Sequence, residues 1–326
     1  MRSSILALAV ALVACSSSSS SPAPVEAPAA ATPAAPQGPT LLGGMAIGPA
    51  PANGLQIVLP VVPNIPPSSS QEWCTWTDQI ADHDLDVNEV KAFQTKTGHH
   101  VVLFYTTTKQ TPGTARICTD DDMASFRFVS ASGGEGSGDA KLPGDLVARV
   151  PKGAQFVLNH HYLNAGLAAV DAQSAANVYF APPGSSTTLS SALTWLDTSM
   201  RAAPGHSKYD VHCTMQKDVS LWLLQPHMHA YGEHIIIEHT HQGAVNRLFD
   251  LDWDESFVFH PPEMRRDPGS PYVINAGDEI HLQCAWNNTT ASDLTFGIEM
   301  CVAFAQDVDK ADMGNIECNG GQWGTF

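Results

Sequence analysis

The stretch Leu221-Trp-Leu-Leu-Gln-Pro-His-Met-His-Ala-Tyr-Gly-Glu-His234 places two histidines two residues apart at the end of an apolar run. On a β-strand, that spacing puts the imidazoles of His227 and His229 on one face. Two neutral imidazoles side by side, with a third donor from another strand, suit a copper, zinc, iron or nickel ion. The stretch therefore indicates a metal site built on a sheet.

The third donor that we expect is Met300, within the apolar run Phe296–Phe304 that has strand character. Its thioether is a soft ligand that favours Cu(I) over harder ions. The alternative is that Met300 is ordinary core and that His227 and His229 are surface strand histidines. Short motifs such as His-x-His often occur by chance, so the rest of the chain has to support the site.

Composition predicts an all-β protein. The 326 residues are 43% hydrophobic and 15% charged, which is enough apolar surface for one large or two ordinary cores. Short runs rich in Val, Ile, Thr and aromatic residues alternate with turn signals, a pattern typical of antiparallel β-sandwiches and jelly rolls. The strand pattern weakens around the Pro204-Gly205 turn, which predicts a junction between two such domains, 46–198 and 199–326. The net charge of −17, with only 16 Lys and Arg, argues against a nucleic-acid partner.

The N-terminus predicts export and attachment to a membrane. Arg2 precedes an apolar run far shorter than the roughly 20 residues that span a bilayer, which is typical of a signal peptide at 1–15. Leu12-Val-Ala-Cys15 resembles a bacterial lipobox, in which the cysteine is acylated and becomes the first mature residue. Residues 16–45, rich in Ser, Pro and Ala, predict a disordered tether. We expect a lipoprotein anchored by Cys15 on the periplasmic or cell-surface side; an ordinary cleaved signal is the alternative.

Further histidines fall on two other predicted strands. His99 and His100 follow Gly98 at the start of one. Neighbours on a regular strand face opposite sides, so both could bind one metal only at a bulge or strand start, which Gly98 would permit. The alternative is a solvated pair at a turn. On the second strand His160 and His161 face opposite sides, and we expect His161 to be the partner of the first pair.

Without Cys15, six of the seven cysteines remain, and an even number implies disulfide bonds in an exported chain. The sequence alone leaves many pairings open. Cys284 and Cys301 lie on consecutive predicted strands, and a bond between them would clamp the segment that holds Met300. The pairs Cys74–Cys118 and Cys213–Cys318 complete a set that keeps every bond within one domain.

The order of these motifs resembles that of a known family. His99-His100, His161-Tyr162, His227-Met-His229 and Glu299-Met-Cys301 follow the order found in the copper type II, ascorbate-dependent monooxygenases. This family includes peptidylglycine α-hydroxylating monooxygenase and dopamine β-monooxygenase. The resemblance spans roughly residues 50 to 320 and is weak between the motifs, but their combination is far more specific than any one of them.

The resemblance implies two copper ions per chain, facing each other across a cleft between two β-sandwiches. The implied ligands are His99, His100 and His161 for an electron-transfer copper, and His227, His229 and Met300 for an oxygen-activating copper. The implied activity is that of a copper-dependent monooxygenase, which hydroxylates a C–H bond of a small substrate with dioxygen. Ascorbate or an equivalent would be the reductant.

The substrate site departs from that of the peptide-hydroxylating members. Those members hold a substrate carboxylate with an arginine, an asparagine and a tyrosine at positions that are Gln225, Val302 and Phe304 here. Burying a carboxylate without an arginine would be costly, so we expect these three residues to contact an uncharged or apolar substrate.

Two other functions fit parts of the sequence. An exported copper-binding or copper-storing protein would keep the same ligands without turnover. A zinc hydrolase would need a water-activating carboxylate such as Glu233, and the soft thioether of Met300 argues against it. The remaining histidines of the second half, including His212 and His281, match no ligand position of the family. We expect them at the surface, in the core or in support of the ligands.

Overall fold

Runs of β-branched and aromatic residues form strands along most of the chain in the computed structural model, which describes residues 38–182, 185, 188–258, 261–310 and 314–325. These residues include an α-helix, Asp120–Ser125, and 3₁₀ turns at Leu42–Gly44 and Glu255–Val258. The prediction of an all-β protein is confirmed. In chain order the strands are β1 Thr40–Leu41, β2 Met45–Ala46, β3 Gly54–Val58, β4 Val62–Ile65, β5 Ser69–Ile80, β6 Leu85–Gln94, β7 Gly98–Thr106, β8 Ala115–Ile117, β9 Arg127–Gly133, β10 Gly136–Lys141, β11 Leu146–Val150, β12 Gln155–Asn164, β13 Val170–Ala172, β14 Ser174–Phe180, β15 Thr188–Leu196, β16 Arg201–Ala202, β17 Gly205–Thr214, β18 Val219–His227, β19 Gly232–His241, β20 Ala244–Asp252, β21 Met264–Arg265, β22 Tyr272–Ile274, β23 Glu279–Asn288, β24 Leu294–Thr295, β25 Val302–Val308, β26 Ile316–Asn319 and β27 Gln322–Thr325.

The N-terminal half contains two packed sheets. One has five strands in the order β8-β5-β12-β7-β9. The other is the run β11-β6-β14-β3, with β10 also pairing with β6. Apolar residues from both sheets, among them Val90, Leu103 and Phe156, fill one core between them. The alternation of buried and exposed residues along each strand thus produces a sandwich.

The C-terminal half repeats this arrangement. A four-stranded sheet, β17-β23-β19-β20, packs against the run β18-β25-β15. Ile237 and Leu282 from the first sheet and Leu224 from the second belong to one core cluster. All pairs within the four-stranded sheet are antiparallel.

The two halves share a sheet through a short parallel contact. Leu146 and Val147 on β11 pair with Thr188 and Leu189 on β15, which makes one sheet of twelve strands. Strand β15 also pairs with β25 and β26, which belong to the C-terminal half. By its pairing, β15 therefore belongs to that half, although it precedes the boundary predicted at 198. The described residues, from 38 onward, group as one compact unit. The division into two domains stays a prediction.

Three segments differ from the expectations. Leu41 lies within the predicted tether 16–45, yet it is 3% exposed and packs in a cluster with Ile47 and Phe93, so the fold begins earlier. The Ser- and Gly-rich composition of segment 131–139 predicts a flexible loop, but the segment contributes to β9 and β10 because β6 pairs with the backbone of β10. The apolar and aromatic residues of 253–260 predict a strand, but the described part of this segment contains the 3₁₀ turn Glu255–Val258, since Asp254 accepts hydrogen bonds from Ser256.

Three disulfide bonds are present, and all three predicted pairings are confirmed. They join Cys74 to Cys118, Cys213 to Cys318 and Cys284 to Cys301. The third bond fixes the residue that follows Met300. The predicted signal peptide, the lipidation site Cys15 and most of the tether lie outside the described residues. In the part of the chain that the structure describes, no helix is long and apolar enough to cross a membrane.

Candidate metal centre

A β-bulge brings three imidazoles together in the N-terminal half. Along the pair β12–β7, His161 lies opposite His100 and the next residue lies opposite Gly98, so His99 is the extra residue. One ring nitrogen from each of His99, His100 and His161 lies within 4.8 Å of the other two. A Cβ atom at position 98 would stand 2.3 Å from the Cβ of Gln94, so only glycine fits the bulge as built. The structure thus groups these histidines in the way that the Gly98 bulge predicts.

Hydrogen bonds orient these rings. Ser70 Oγ lies 2.6 Å from His161 Nε2, which leaves Nδ1 of that ring to face a metal. The Nδ1 atoms of His99 and His100 lie 2.9 Å apart, so they can share one proton. A metal ion would replace that proton, because a metal-binding nitrogen must present its lone pair. The group would therefore offer three nitrogens to one metal ion.

Glu72 supports the same group, and the sequence analysis missed it. Its Oε1 accepts a hydrogen bond of 2.8 Å from Asn159 Nδ2 and lies 3.9 Å from His100 Nε2. The nearby His100 imidazole, first, and the Asn159 hydrogen bond hold the pKa of Glu72 down at about 2, against the opposing effect of burial. Glu72 lies directly opposite His161 in the pair β5–β12. Only this register, between strands far apart in sequence, identifies it.

Burial keeps two of these imidazoles neutral. Burial first, and then the charges of the neighbouring rings, lower the pKa of His99 to about 3 and that of His161 to about 4. Both rings are therefore neutral at pH 7. Neutral imidazoles are the form that binds metal ions.

His227 and His229 form a second pair at the end of β18, with ring centroids 5.1 Å apart. His227 is the last residue of the strand and His229 lies beyond it. The backbone carbonyl oxygen of Ile298 lies 3.0 Å from His229 Nδ1, so this nitrogen donates and Nε2 keeps its lone pair. The buried carboxylate of Glu299 accepts the backbone N–H groups of His229 and Tyr231. This carboxylate fixes the turn that carries His229.

Met300 lies beside this pair along the chain, but the expected strand through it is wrong. Strand β25 begins only at Val302, which pairs with His227. Glu299 Oε1 accepts the backbone N–H of Met300 at 3.0 Å, so this residue takes part in a loop held by a buried carboxylate. The neighbours Ile298 and Val302 contact His229 and pair with His227, respectively. Met300 is thus held between the two points where its segment meets the histidine pair.

The two histidine groups influence each other electrostatically. Burial first, and then the charges of His229, His100 and His99, lower the pKa of His227 to about 3. The charge of His229 also contributes to the lowered pKa values of His99 and His161. The five histidines of this cluster, which draws on both halves of the chain, therefore lie close enough for a charge on one group to lower pKa values in the other.

The three residues expected to contact a substrate, Gln225, Val302 and Phe304, differ in exposure and in their neighbours. The ring of Phe304 lies 5.6 Å from that of His227 and is 41% exposed, so it offers an apolar surface next to the histidine pair. Gln225 lies opposite Phe304 and donates a hydrogen bond of 2.7 Å to Glu263. Val302 is only 1% exposed. Of the three, Phe304 is best placed to meet a substrate.

Other histidines have structural partners. The buried His160 contacts Thr75 and the hydroxyl group of Tyr162, at 2.9 and 3.0 Å. Its location on the opposite face from His161 agrees with the strand alternation. Glu233, the carboxylate considered for a zinc hydrolase, lies 2.8 Å from His206. This contact gives Glu233 a partner outside the cluster of five histidines.

The sequence matches no known protein family, and no curated protein is significantly similar to it. Solved structures give weak likenesses. The major capsid protein P2 of bacteriophage PM2 has 9% identity and a TM-score of 0.35, over 80% of this chain and 99% of that one. A structure of infectious bursal disease virus Gx strain has 7% identity and a TM-score of 0.20, over 82% and 77%. The CUB1-EGF-CUB2 domain of human MASP-1/3 has 9% identity and a TM-score of 0.17, over 77% and 98%. These scores carry no argument about fold or function.

Proposed function

We propose that this protein is an exported copper-dependent monooxygenase that hydroxylates a C–H bond of an uncharged small substrate. The observation that carries the proposal is the convergence of His99, His100 and His161 at a bulge, with His227 and His229 close enough for a charge on one group to lower pKa values in the other. The donor set fits copper. Imidazole suits copper in both oxidation states, and a thioether favours Cu(I).

The proposed copper ligands are His99, His100 and His161 at one site, and His227, His229 and Met300 at the other. When bound, copper would supply electron transfer at the first site and dioxygen activation at the second. The overall reaction would convert R–H, O₂, two electrons and two protons to R–OH and water. A reductant of the ascorbate type would supply the electrons.

In this proposal the surrounding residues orient the ligand imidazoles and disfavour a charged substrate. The contacts of Ser70 with His161 Nε2 and of the Ile298 carbonyl group with His229 Nδ1 would leave the other nitrogen of each ring to face a metal. Phe304 presents an apolar surface beside His227, and the absence of an arginine at Gln225 disfavours a substrate carboxylate. These features favour an uncharged or apolar substrate.

The test supplies copper-loaded protein with ascorbate, dioxygen and a panel of uncharged metabolites, and follows oxygen consumption and product mass. We expect a gain of one oxygen atom in at least one compound. His227→Ala should abolish this gain, whereas the matched control His206→Ala, at an exposed position outside the cluster, should retain it. Copper binding without any oxygen consumption above that of the His227→Ala variant would instead indicate an exported copper-binding or copper-storing protein.

We also propose that the mature protein begins at Cys15 and is held at a bacterial membrane by lipid. The support is the Leu12–Cys15 lipobox and the Ser-rich segment that follows it. Mass spectrometry of the membrane fraction should find an acylated Cys15. An unmodified N-terminus downstream of Cys15 would contradict this location.

A further inference from the structure

A row of histidines and carboxylates crosses the outer face of the sheet β17-β23-β19-β20, away from the candidate copper ligands. His212 on β17 lies directly opposite His281 on β23, and His281 lies opposite Glu238 on β19. Asp210, two residues before His212, shares its face because side chains alternate along a strand. Val211, between them, belongs to the core on the other face. The strand register therefore gathers these polar groups on one surface.

Three of these side chains present metal-ligating atoms close together. A carboxylate oxygen of Asp210 and a ring nitrogen from each of His212 and His281 all lie within 4.8 Å of one another. His281 Nε2 already lies 2.8 Å from Asp210 Oδ1. The two rings stack, with centroids 4.4 Å apart and planes at 12°.

Small side-chain rotations would bring these atoms to a metal. Tetrahedral zinc binds nitrogen at about 2.0–2.1 Å, so its ligand atoms lie about 3.4 Å from one another. The side chains of His212 and Asp210 are 59% and 45% exposed, and they have room to close the remaining distance. The backbone of the paired strands would not have to move.

Separate carboxylates orient the two imidazoles. Glu279 Oε1 lies 2.8 Å from His212 Nδ1, and Glu238 Oε2 lies 3.2 Å from His281 Nδ1. A carboxylate at Nδ1 makes that nitrogen the N–H donor, so Nε2 of His212 keeps the lone pair that binds a metal. At His281, whose Nε2 also contacts the Asp210 carboxylate, a metal ion would replace the proton that these two atoms share. This carboxylate–imidazole–metal arrangement supports histidine ligands in metal sites. Its presence at both histidines distinguishes the group from a simple acidic patch.

The charges around Asp210, His212 and His281 favour the binding of a cation. Asp210, Glu238 and Glu279 supply three carboxylates. Arg247 pairs with Glu238, and Lys208 contacts the Gln283 side chain at 3.2 Å. The carboxylates outnumber these two cations, so the local charge remains negative.

We propose that Asp210, His212 and His281 bind one zinc ion, with a fourth position open to water. Two imidazole nitrogens and one carboxylate oxygen suit this borderline divalent ion. The ion would tie β17 to β23, the two strands that also carry Cys213 and Cys284. The site shares no ligand with the proposed copper sites, so it does not depend on the proposed oxidation.

The test incubates metal-free protein with Zn²⁺ alone, removes weakly held ion on a desalting column and counts zinc by mass spectrometry. His212→Ala and Asp210→Asn should each retain one equivalent less than wild type. The matched control is His206→Ala, which alters an exposed histidine on the same strand and face that pairs with a single carboxylate, Glu233. This control should match wild type.

Circular dichroism checks that the exposed substitutions leave the fold intact. If either His212→Ala or Asp210→Asn retained as much zinc as His206→Ala, the three-ligand site would be overturned. Zinc bound at the proposed copper ligands is common to all four proteins, so it cancels in the comparison. The number of zinc ions bound per protein does not depend on the outcome of the hydroxylation assay, so the two proposals are tested separately.

Discussion

At the scale of single residues, the candidate ligands depend on contacts made by their second ring nitrogens. Ser70 contacts Nε2 of His161, whereas the carbonyl group of Ile298 contacts Nδ1 of His229. The two rings are thereby prepared to offer different nitrogens, Nδ1 in the first group and Nε2 in the second. Partners of this kind typically change metal affinity by about 10–100-fold in known sites.

Ser70→Ala should lower copper affinity at the three-histidine site by about 10–100-fold, because His161 loses the partner that fixes its ring. Copper at the other site should be unaffected. Competition with a chelator of known affinity measures the change. Ser69→Ala is the matched control, since the neighbouring Ser69 Oγ donates to a backbone carbonyl group instead of to a histidine. Equal affinities for the two variants would contradict the role of Ser70.

The buried carboxyl group of Asp307 should make the stability of the protein depend on pH. Burial raises the pKa of this carboxyl group to about 7, from an ordinary value of 3.8. Between these values the folded state holds a proton that the unfolded state has lost, so this group lowers stability as pH rises from about 4 to about 7. Asp307→Asn keeps an oxygen to accept the Ser220 N–H and removes the titration.

We therefore expect Asp307→Asn to be more stable than wild type near pH 8. The advantage should grow by up to about 1.4 kcal/mol per pH unit across the interval between the two pKa values. Urea unfolding at a series of pH values measures it. Parallel stability curves for the two proteins would show that Asp307 is not protonated in the folded state.

At the scale of elements, the N-terminal site depends on one irregularity in one strand. In a regular β7, His99 and His100 would face opposite sides of the sheet. The bulge at Gly98 turns both toward His161, and the close approach of Gln94 leaves no room for a Cβ atom there. The other site depends on the end of β18 and on the loop that Glu299 holds.

Gly98→Ala should move the bulge, because the new Cβ atom would overlap the Gln94 side chain. Overpacking of this kind typically costs about 1–3 kcal/mol of stability. We also expect the loss of about one copper equivalent, measured by elemental analysis of the folded protein. Gly324→Ala is the control, since a Cβ atom there meets nothing within 4 Å. Full copper retention by a folded Gly98→Ala variant would show that the bulge is not required.

At the scale of the whole molecule, two sandwiches, a shared sheet and three disulfide bonds bring five histidines from distant parts of the sequence into one cluster. The alternation of apolar residues was enough to predict the strands that carry His161 and His227. Keeping each bond within one predicted domain pairs Cys74 with Cys118, and the consecutive strands of Cys284 and Cys301 favour their bond, which leaves Cys213 for Cys318.

The sequence could not predict the supporting residues. Glu72 and Ser70 approach the histidines only through the register of β5 against β12, and local periodicity carries no information on that register. The apolar composition around Met300 predicts a strand, but the segment forms a loop. The buried carboxylate of Glu299 accepts hydrogen bonds from three backbone N–H groups there, which local composition does not indicate. Such contacts between distant segments override local propensity.

The central claim is that Met300 completes a copper site with His227 and His229, and X-ray absorption of the reduced, copper-loaded protein tests it most directly. Met300→Leu conserves volume and should cost under about 1.5 kcal/mol of stability, so the variant should fold. We expect a copper–sulfur signal in wild type and its loss in Met300→Leu, with copper retained at His99, His100 and His161. Reduced wild type without copper–sulfur scattering, or an unchanged signal in the variant, would contradict the account.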